Sequence, residues 1–240
     1  AADDTITAWK ATAEQHSRAL FNFASRATLR GLRDEATKHT QIGEIPVSWR
    51  CVRIEELTEH CAYGPRFPSS CYNANGNAYQ IRTTDFDRNG GVDYREVPAA
   101  TLDERTVLAH RLRTGDFLLS RSGEYAGLTA VFTDPDDGRA YVAGAFLIYY
   151  RLVREFDSAY LLALCNSAFG DRWVKALATG SAQPNIAGSA FSGLYVPVPP
   201  INEQRDIVEA VAEYRRAGDT LVRHVMSSQI ACAALVNAAL

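Results

Sequence analysis

Gly180–Val208 reads GSAQPNIAGSAFSGLYVPVPPINEQRDIV. A polar loop, a short apolar strand, a proline step and a helix start follow one another. The Pro199-Pro200 pair fixes φ twice and cannot continue a sheet. Asn202 stands where a helix N-cap belongs, and Glu203 and Asp206 follow where the helix dipole favours acids. The stretch therefore predicts the end of a globular body and the launch of a long helix at a set angle.

Downstream, Ile207, Val211, Tyr214, Gly218, Leu221, Val225, Ser228, Cys232 and Leu235 recur at three- and four-residue steps. That is the seam of a coiled-coil-like helix, on the order of 55 Å long at 1.5 Å per residue. A second seam, Ile6, Trp9, Ala13, His16, Leu20, Phe23 and Ala27, predicts a helix from about Thr5 to Lys38, weakened by Gly31. Three parts result: an N-terminal helix over 1–41, a body over 42–200 and a C-terminal helix over 201–240. If both helices leave the same side of the body they run antiparallel. Such a hairpin is either a stabilising bundle or a spacer and docking arm.

The body reads as mixed α/β. Strands are expected at Tyr79–Thr83, Asp116–Ser120, Leu128–Phe132, Ala145–Arg151 and Leu194–Val198, all β-branched or aromatic runs bounded by turn residues. One helix is expected over Ser158–Leu177. Long polar loops are expected at Tyr63–Gly76, Asp85–Val97 and Thr179–Ser192, and such loops are where binding usually resides.

Composition narrows the chemistry. The net charge is −3 at 240 residues, so a nucleic-acid binder must use a local basic face. Lys10, Lys38 and Lys175 are the only lysines, and arginine suits bidentate contact with guanine edges and phosphates. A coding bias toward arginine accounts for the same composition. Five cysteines without a C-x-x-C pair read as reduced thiols of a cytoplasmic protein, and no run is apolar enough to span a bilayer. No phosphate loop, nucleophile elbow, methyl-donor turn or nuclease acid–lysine cluster is present, so the chain reads as non-catalytic and without a cofactor. Cys51, His60, Cys61 and Cys71 could be imagined around zinc, but their spacing matches no zinc pattern. Asp85–Glu96 fits a twelve-residue calcium loop by spacing; a strand before it and Pro98 after it favour an acidic turn.

Candidate nucleic-acid contacts fall on four loops. Tyr63 and Arg66 offer a ring and a guanidinium. Arg82, Thr83 and Thr84 end a strand in donors. Arg121, Ser122 and Gly123 form a small polar turn, and Ser181, Gln183 and Asn185 add a hydroxyl and amides. Taken singly, each is an ordinary solvated loop residue.

These residues fall within an ordered series of motifs. It runs Gly43-Glu44-Ile45-Pro46-x-x-Trp49, Tyr63-Gly64, Arg82-Thr83-Thr84-Asp85, Thr114 through Gly123, Gly180-Ser181-x-Gln183-Pro184-Asn185-Ile186, and Val196-Pro197-Val198-Pro199-Pro200-x-x-Glu203-Gln204. The series resembles the DNA-specificity subunit of type I restriction–modification enzymes over nearly the whole chain. The resemblance implies a target recognition domain that reads one half of a split site in double-stranded DNA. It also implies antiparallel spacer helices that dock DNA methyltransferase (modification) subunits, with an endonuclease subunit as a further partner. Family members carry two such domains and this sequence carries one. It is then either a fragment or a half-subunit that pairs with a second copy of itself and reads an inverted repeat. Two alternatives stand beside this reading: a calcium-binding structural protein built on Asp85–Glu96, and the recognition module of a type II restriction–modification enzyme.

Overall fold

The computed structural model describes residues 36–87, 89–179, 184–213, 215–217 and 220. Ala36–Arg205 forms one compact unit, and Ala1–Glu35 with Asp206–Leu240 is assigned to another. The body opens with a hairpin of Thr37–Thr40 (β1) and Gly43–Pro46 (β2), turned at Gly43 with φ +104°. Arg50–Arg53 (β3) and Thr58–Tyr63 (β4) follow, then Ala78–Ile81 (β5) and Ala99–Ala100 (β6). A short helix, Glu104–His110 (α1), is N-capped by Asp103, whose carboxylate accepts from the Thr106 N–H. Phe117–Ser120 (β7), Thr129–Val131 (β8), Tyr141–Ala143 (β9) and Leu147–Leu152 (β10) complete the central strands. Ser158–Cys165 (α2), Ala168–Leu177 (α3) and Gly188–Ser192 (α4) lead to Tyr195–Val198 (β11), and residues 201–213 and 215–217 are helical (α5).

The centre is an antiparallel sheet in the order β4-β10-β7-β8. Both of its faces are covered, which is why β7 and β10 read as unbroken apolar runs rather than as alternations. One face carries Leu118, Leu147 and Tyr149 into a core with Ile81, Phe132 and Tyr141 from the β6-β5-β9 sheet and its surroundings. The opposite face carries Phe117 and Tyr150 against Phe191 of α4, with ring centroids 5.8 and 5.2 Å apart. β11 pairs with β3, so the apolar strand of the opening quotation closes a separate two-stranded ribbon.

The expected mixed α/β body is present, and each of its five expected strands exists with ends moved by one or two residues. Other expectations change. Thr83 is not in β5 but in the 3-10 turn Thr83–Asp85, because the Asp85 carboxylate accepts the Arg82 N–H at 2.7 Å and curls the chain. The helix expected over Ser158–Leu177 is two helices. Ser167 breaks it: its hydroxyl donates to the Leu164 carbonyl and accepts the Gly170 N–H, capping α3. Asn202 is not the N-cap of α5. The Pro200 carbonyl accepts the Gln204 N–H at 3.0 Å, so Pro200 holds that position and Asn202 lies inside the first turn. The N-terminal helix, drawn through Lys38, does not include Thr37 and Lys38, which pair in β1; its seam residues lie outside the described residues. So do Tyr214, Gly218 and the seam from Leu221 to Leu235. Among the described residues α5 is the single long helix, and none is long and apolar enough to cross a membrane.

Candidate nucleic-acid interface

Three segments distant in sequence meet at one end of the central sheet. β4 ends at Tyr63, β7 runs out into Arg121, and residues 184–188 lie across both. The Arg121 backbone donates to the Phe146 carbonyl at 2.9 Å and accepts from the Ile186 N–H at 2.8 Å. Its guanidinium donates from Nη2 to Asn185 Oδ1 at 3.0 Å and stands 5.0 Å from the centre of the Tyr63 ring. The Tyr63 hydroxyl in turn accepts the Gly188 N–H at 3.1 Å. Ser122 bridges to Asn185, and Gly123 (φ +79°) donates to the Pro184 carbonyl. Tyr63, Arg121, Ser122, Gly123 and Asn185 therefore form one bonded group. Arg121 Nε is buried without a hydrogen-bond partner among the described residues.

The remaining candidates are distributed around it. Thr83 adjoins the group, its hydroxyl 3.2 Å from that of Ser120. Arg82 is committed elsewhere: Nε and Nη2 grip Asp85 at 3.1 and 2.7 Å, and Nη2 also donates to the Glu96 carbonyl. Arg82 and exposed Thr84 line a cleft with Asp93, Arg95 and Glu96 rather than joining Arg121. Arg66 is exposed on the segment after β4 and is not bonded to the group. Ser181 and Gln183 lie outside the described residues.

Sequence reasoning missed the apolar rim. Phe146 is 60 % exposed at the turn into β10, and Tyr125 and Leu128 are also exposed on the loop after Gly123. Phe146 sits inside what the sequence reads as strand Ala145–Arg151. The signal against that was Gly144: its N–H donates to the Ile81 carbonyl at 2.7 Å, and a Cβ there would lie 2.8 Å from the same oxygen. Gly64 is pressed still closer, its would-be Cβ 2.1 Å from the Gly144 carbonyl oxygen. Such close backbone approach is open only to glycine, and it fixes the path of the chain two residues ahead of Phe146.

The metal readings fail on geometry. Asp85 is buried against Arg82, Asp93 pairs with Arg95, and Asp87 Oδ1 accepts the Asn89 and Gly91 N–H groups, so these three acids serve their own turn. Arg95 beside Asp93 holds its carboxyl down at about 2. The flanks are β5 and β6, not the helices a calcium loop needs. His60 and Cys61 are consecutive on β4 and so face opposite sides, with His60 Nε2 3.1 Å from the Tyr149 hydroxyl. No group of three or more metal-ligating side chains is assembled among the described residues.

The sequence profile of the type I restriction modification DNA specificity domain matches residues 46–224. The chain belongs to this family. It is 26 % identical over 161 residues to the EcoKI specificity subunit of Escherichia coli K12, covering 65 % of this chain and 34 % of that protein. It is 24 % identical over 195 residues to the MjaVIII specificity subunit of Methanocaldococcus jannaschii, covering 77 % and 43 %. The fold is similar to the HsdS subunit of Thermoanaerobacter tengcongensis, at TM-score 0.61 and 21 % identity over 92 % of this chain and 49 % of that one. It is also similar to a chain of a type I R-M system solved for complex assembly and conformational transition, at TM-score 0.66 and 20 % identity over 97 % and 53 %. The chain thus spans about half the length, or less, of these relatives.

Within this specificity domain several of the quoted motifs have structural tasks. Asp116, 1 % exposed, receives Arg151 through two bonds of 2.9 and 2.8 Å and also accepts the Arg113 N–H. Gln204 is fully buried: its amide donates to the Glu155 and Pro199 carbonyls at 3.0 and 2.9 Å and accepts the Asp157 N–H at 2.8 Å. That side chain ties the first turn of α5 to the strand end and helix start beside it.

Proposed function

We propose that this chain is the DNA-reading component of a type I restriction–modification enzyme, supplying recognition and no chemistry of its own. The observation that carries the reading is the bonded group around Arg121. In a DNA-specificity family it brings a guanidinium, an amide, a hydroxyl and a phenol to one exposed edge beside Phe146. Arginine and asparagine present the donors and acceptors that discriminate base edges in the major groove, while hydroxyls and backbone N–H groups fix register on phosphates. Tyr63, Thr83, Arg121, Ser122, Gly123 and Asn185 form the centre of this edge, with Arg66, Arg82 and Thr84 as outlying contacts and Ser181 and Gln183 as further contact residues. The body over 42–200 reads one half-site. Helices preceding β1, within 1–35, and over 201–240 form an antiparallel spacer that docks cytoplasmic adenine-methyltransferase (modification) subunits, and the second half-site is read by another copy or another domain. An endonuclease subunit is a further partner of the assembly.

The test is selection of bound duplexes from a random pool, using the chain together with its cognate modification subunit. A short, fixed motif is expected to be enriched. Arg121→Ala is expected to lower affinity for the selected duplex by tenfold or more while affinity for unrelated duplex changes little. A pool that stays random after repeated rounds sinks the reading.

A further inference from the structure

A second charged feature lies at the other end of the central sheet. Arg113, Arg151, Arg154 and Arg205 line a cleft of about 280 Å³ together with Asp116 and Asp157. Arg151 is neutralised by buried Asp116, and Asp157 is occupied in capping α2, accepting the Ala159 N–H at 2.8 Å. Arg113, Arg154 and Arg205 are exposed, and among the described residues no carboxylate pairs with them. Four arginines against two aspartates leave the cleft positive.

The three arginines stand on fixed backbone. The Arg113 N–H is held by Asp116 Oδ2 at 2.8 Å, ahead of Gly115 at φ +92°. Arg154 lies in a turn closed by the Phe156 N–H on the Val153 carbonyl, itself anchored where the Val153 N–H meets the Leu57 carbonyl. Arg205 follows Gln204, the buried amide of the α5 root. Such mounting limits the entropy lost when the side chains close on a ligand.

We infer that this cleft receives the carboxylates of an acidic segment on the modification subunit. The inference rests on the function proposed above. β10 begins beside Arg121 and ends beside Arg154, and six residues of strand span about 20 Å, so the cleft is a contact point separate from the Arg121 edge. It includes Ile201 and Arg205 at the root of α5, the helix proposed above to dock that subunit, and this continuity argues for protein. The planar guanidinium fork matches a carboxylate through paired bonds, and convergence of three on one cavity suits a run of acids better than a single one.

The test compares the whole 240-residue chain with Arg113→Glu/Arg154→Glu/Arg205→Glu and with the corresponding triple glutamine variant, each checked for a native circular-dichroism melt. Binding to the purified modification subunit is measured by biolayer interferometry at low and moderate salt, and binding to the selected duplex by fluorescence anisotropy. The glutamate variant is expected to bind the subunit at least tenfold more weakly, with a flatter salt dependence. The glutamine variant should fall between it and wild type, and both should hold duplex affinity within twofold. Unchanged subunit binding overturns the inference. So does a loss confined to the duplex, which would make the cleft a phosphate contact. A wild-type chain that binds both partners while the variants match it removes the cleft alone. A wild-type chain that binds neither removes the functional reading along with it.

Discussion

Single residues in this chain divide between those that face outward and those that hold the outward ones in place, and Arg121 does both. Its Nη2 bond to Asn185 and its seat over Tyr63 orient one edge of the guanidinium while tying three segments together. Arg82, an equal candidate by sequence, is spent on Asp85. Nothing in Arg82-Thr83-Thr84-Asp85 or in Leu119-Ser120-Arg121-Ser122 announces which arginine is committed, because the partner in one case lies three residues away and in the other 64. Gln204 is the plainest structural residue. Gln204→Leu removes three bonds and leaves the Pro199 carbonyl buried, and the Asp157 N–H and Glu155 carbonyl half-buried, without those partners. An unmet buried polar group costs about 1–3 kcal/mol, so the loss should be about 2 kcal/mol after local relaxation. Urea denaturation should show a lower midpoint at an unchanged slope; a change under 0.5 kcal/mol, roughly the scatter of surface substitutions, would contradict the assignment.

At the level of elements, the break between α2 and α3 makes the sharpest prediction. Ser167 is 2 % exposed and caps α3, so Ser167→Ala should cost about 1 kcal/mol. Gly170→Ala should cost more. A Cβ at that position would lie 2.1 Å from the Leu164 carbonyl oxygen, which belongs to backbone and cannot swing aside. Thermal melts of the two variants should rank in that order, and equal melts would mean that the helix junction yields. Legibility follows the same physics. β7, β10 and β11 were readable because apolar runs bounded by turn residues have few other fates. β3, β4 and β9 were not: β4, Thr58–Tyr63, is polar because most of its side chains face solvent, and its place is set by pairing with β10. The hairpin of β1 and β2 was hidden because Thr37-Lys38-His39-Thr40 carries no apolar signal, and its register comes from the turn at Gly43. Tyr63, Arg121, Ser122, Gly123 and Asn185 could each be named from the sequence, but their assembly depends on bonds across 64 to 125 positions that no local pattern encodes.

For the whole molecule, alkaline pH is the informative variable. Burial pushes the phenols of Tyr94 and Tyr141 up to about 12, and those of Tyr149, Tyr150 and Tyr160 upward as well. The Cys165 thiol is likewise raised to about 12 by burial. A group whose folded pKa exceeds its unfolded value holds its proton more tightly in the folded chain. Its contribution to stability is intact below the unfolded value, near 10 for tyrosine, and is lost as pH rises from there toward 12. The urea midpoint should therefore be level to about pH 9 and fall steeply from pH 10 to 11.5. With only three lysines in the chain, loss of ammonium charge cannot account for such a fall. A flat profile to pH 11.5 would mean that these rings are not buried as described. The placement of Arg121 at one end of β10 and of Gln204's partners at the other has a bearing on inheritance. Loops bordering the first end can be exchanged, lengthened or redrawn by recombination without disturbing the root of α5. On the function proposed above, a lineage carrying this architecture changes the word it reads while leaving the first turn of α5 untouched.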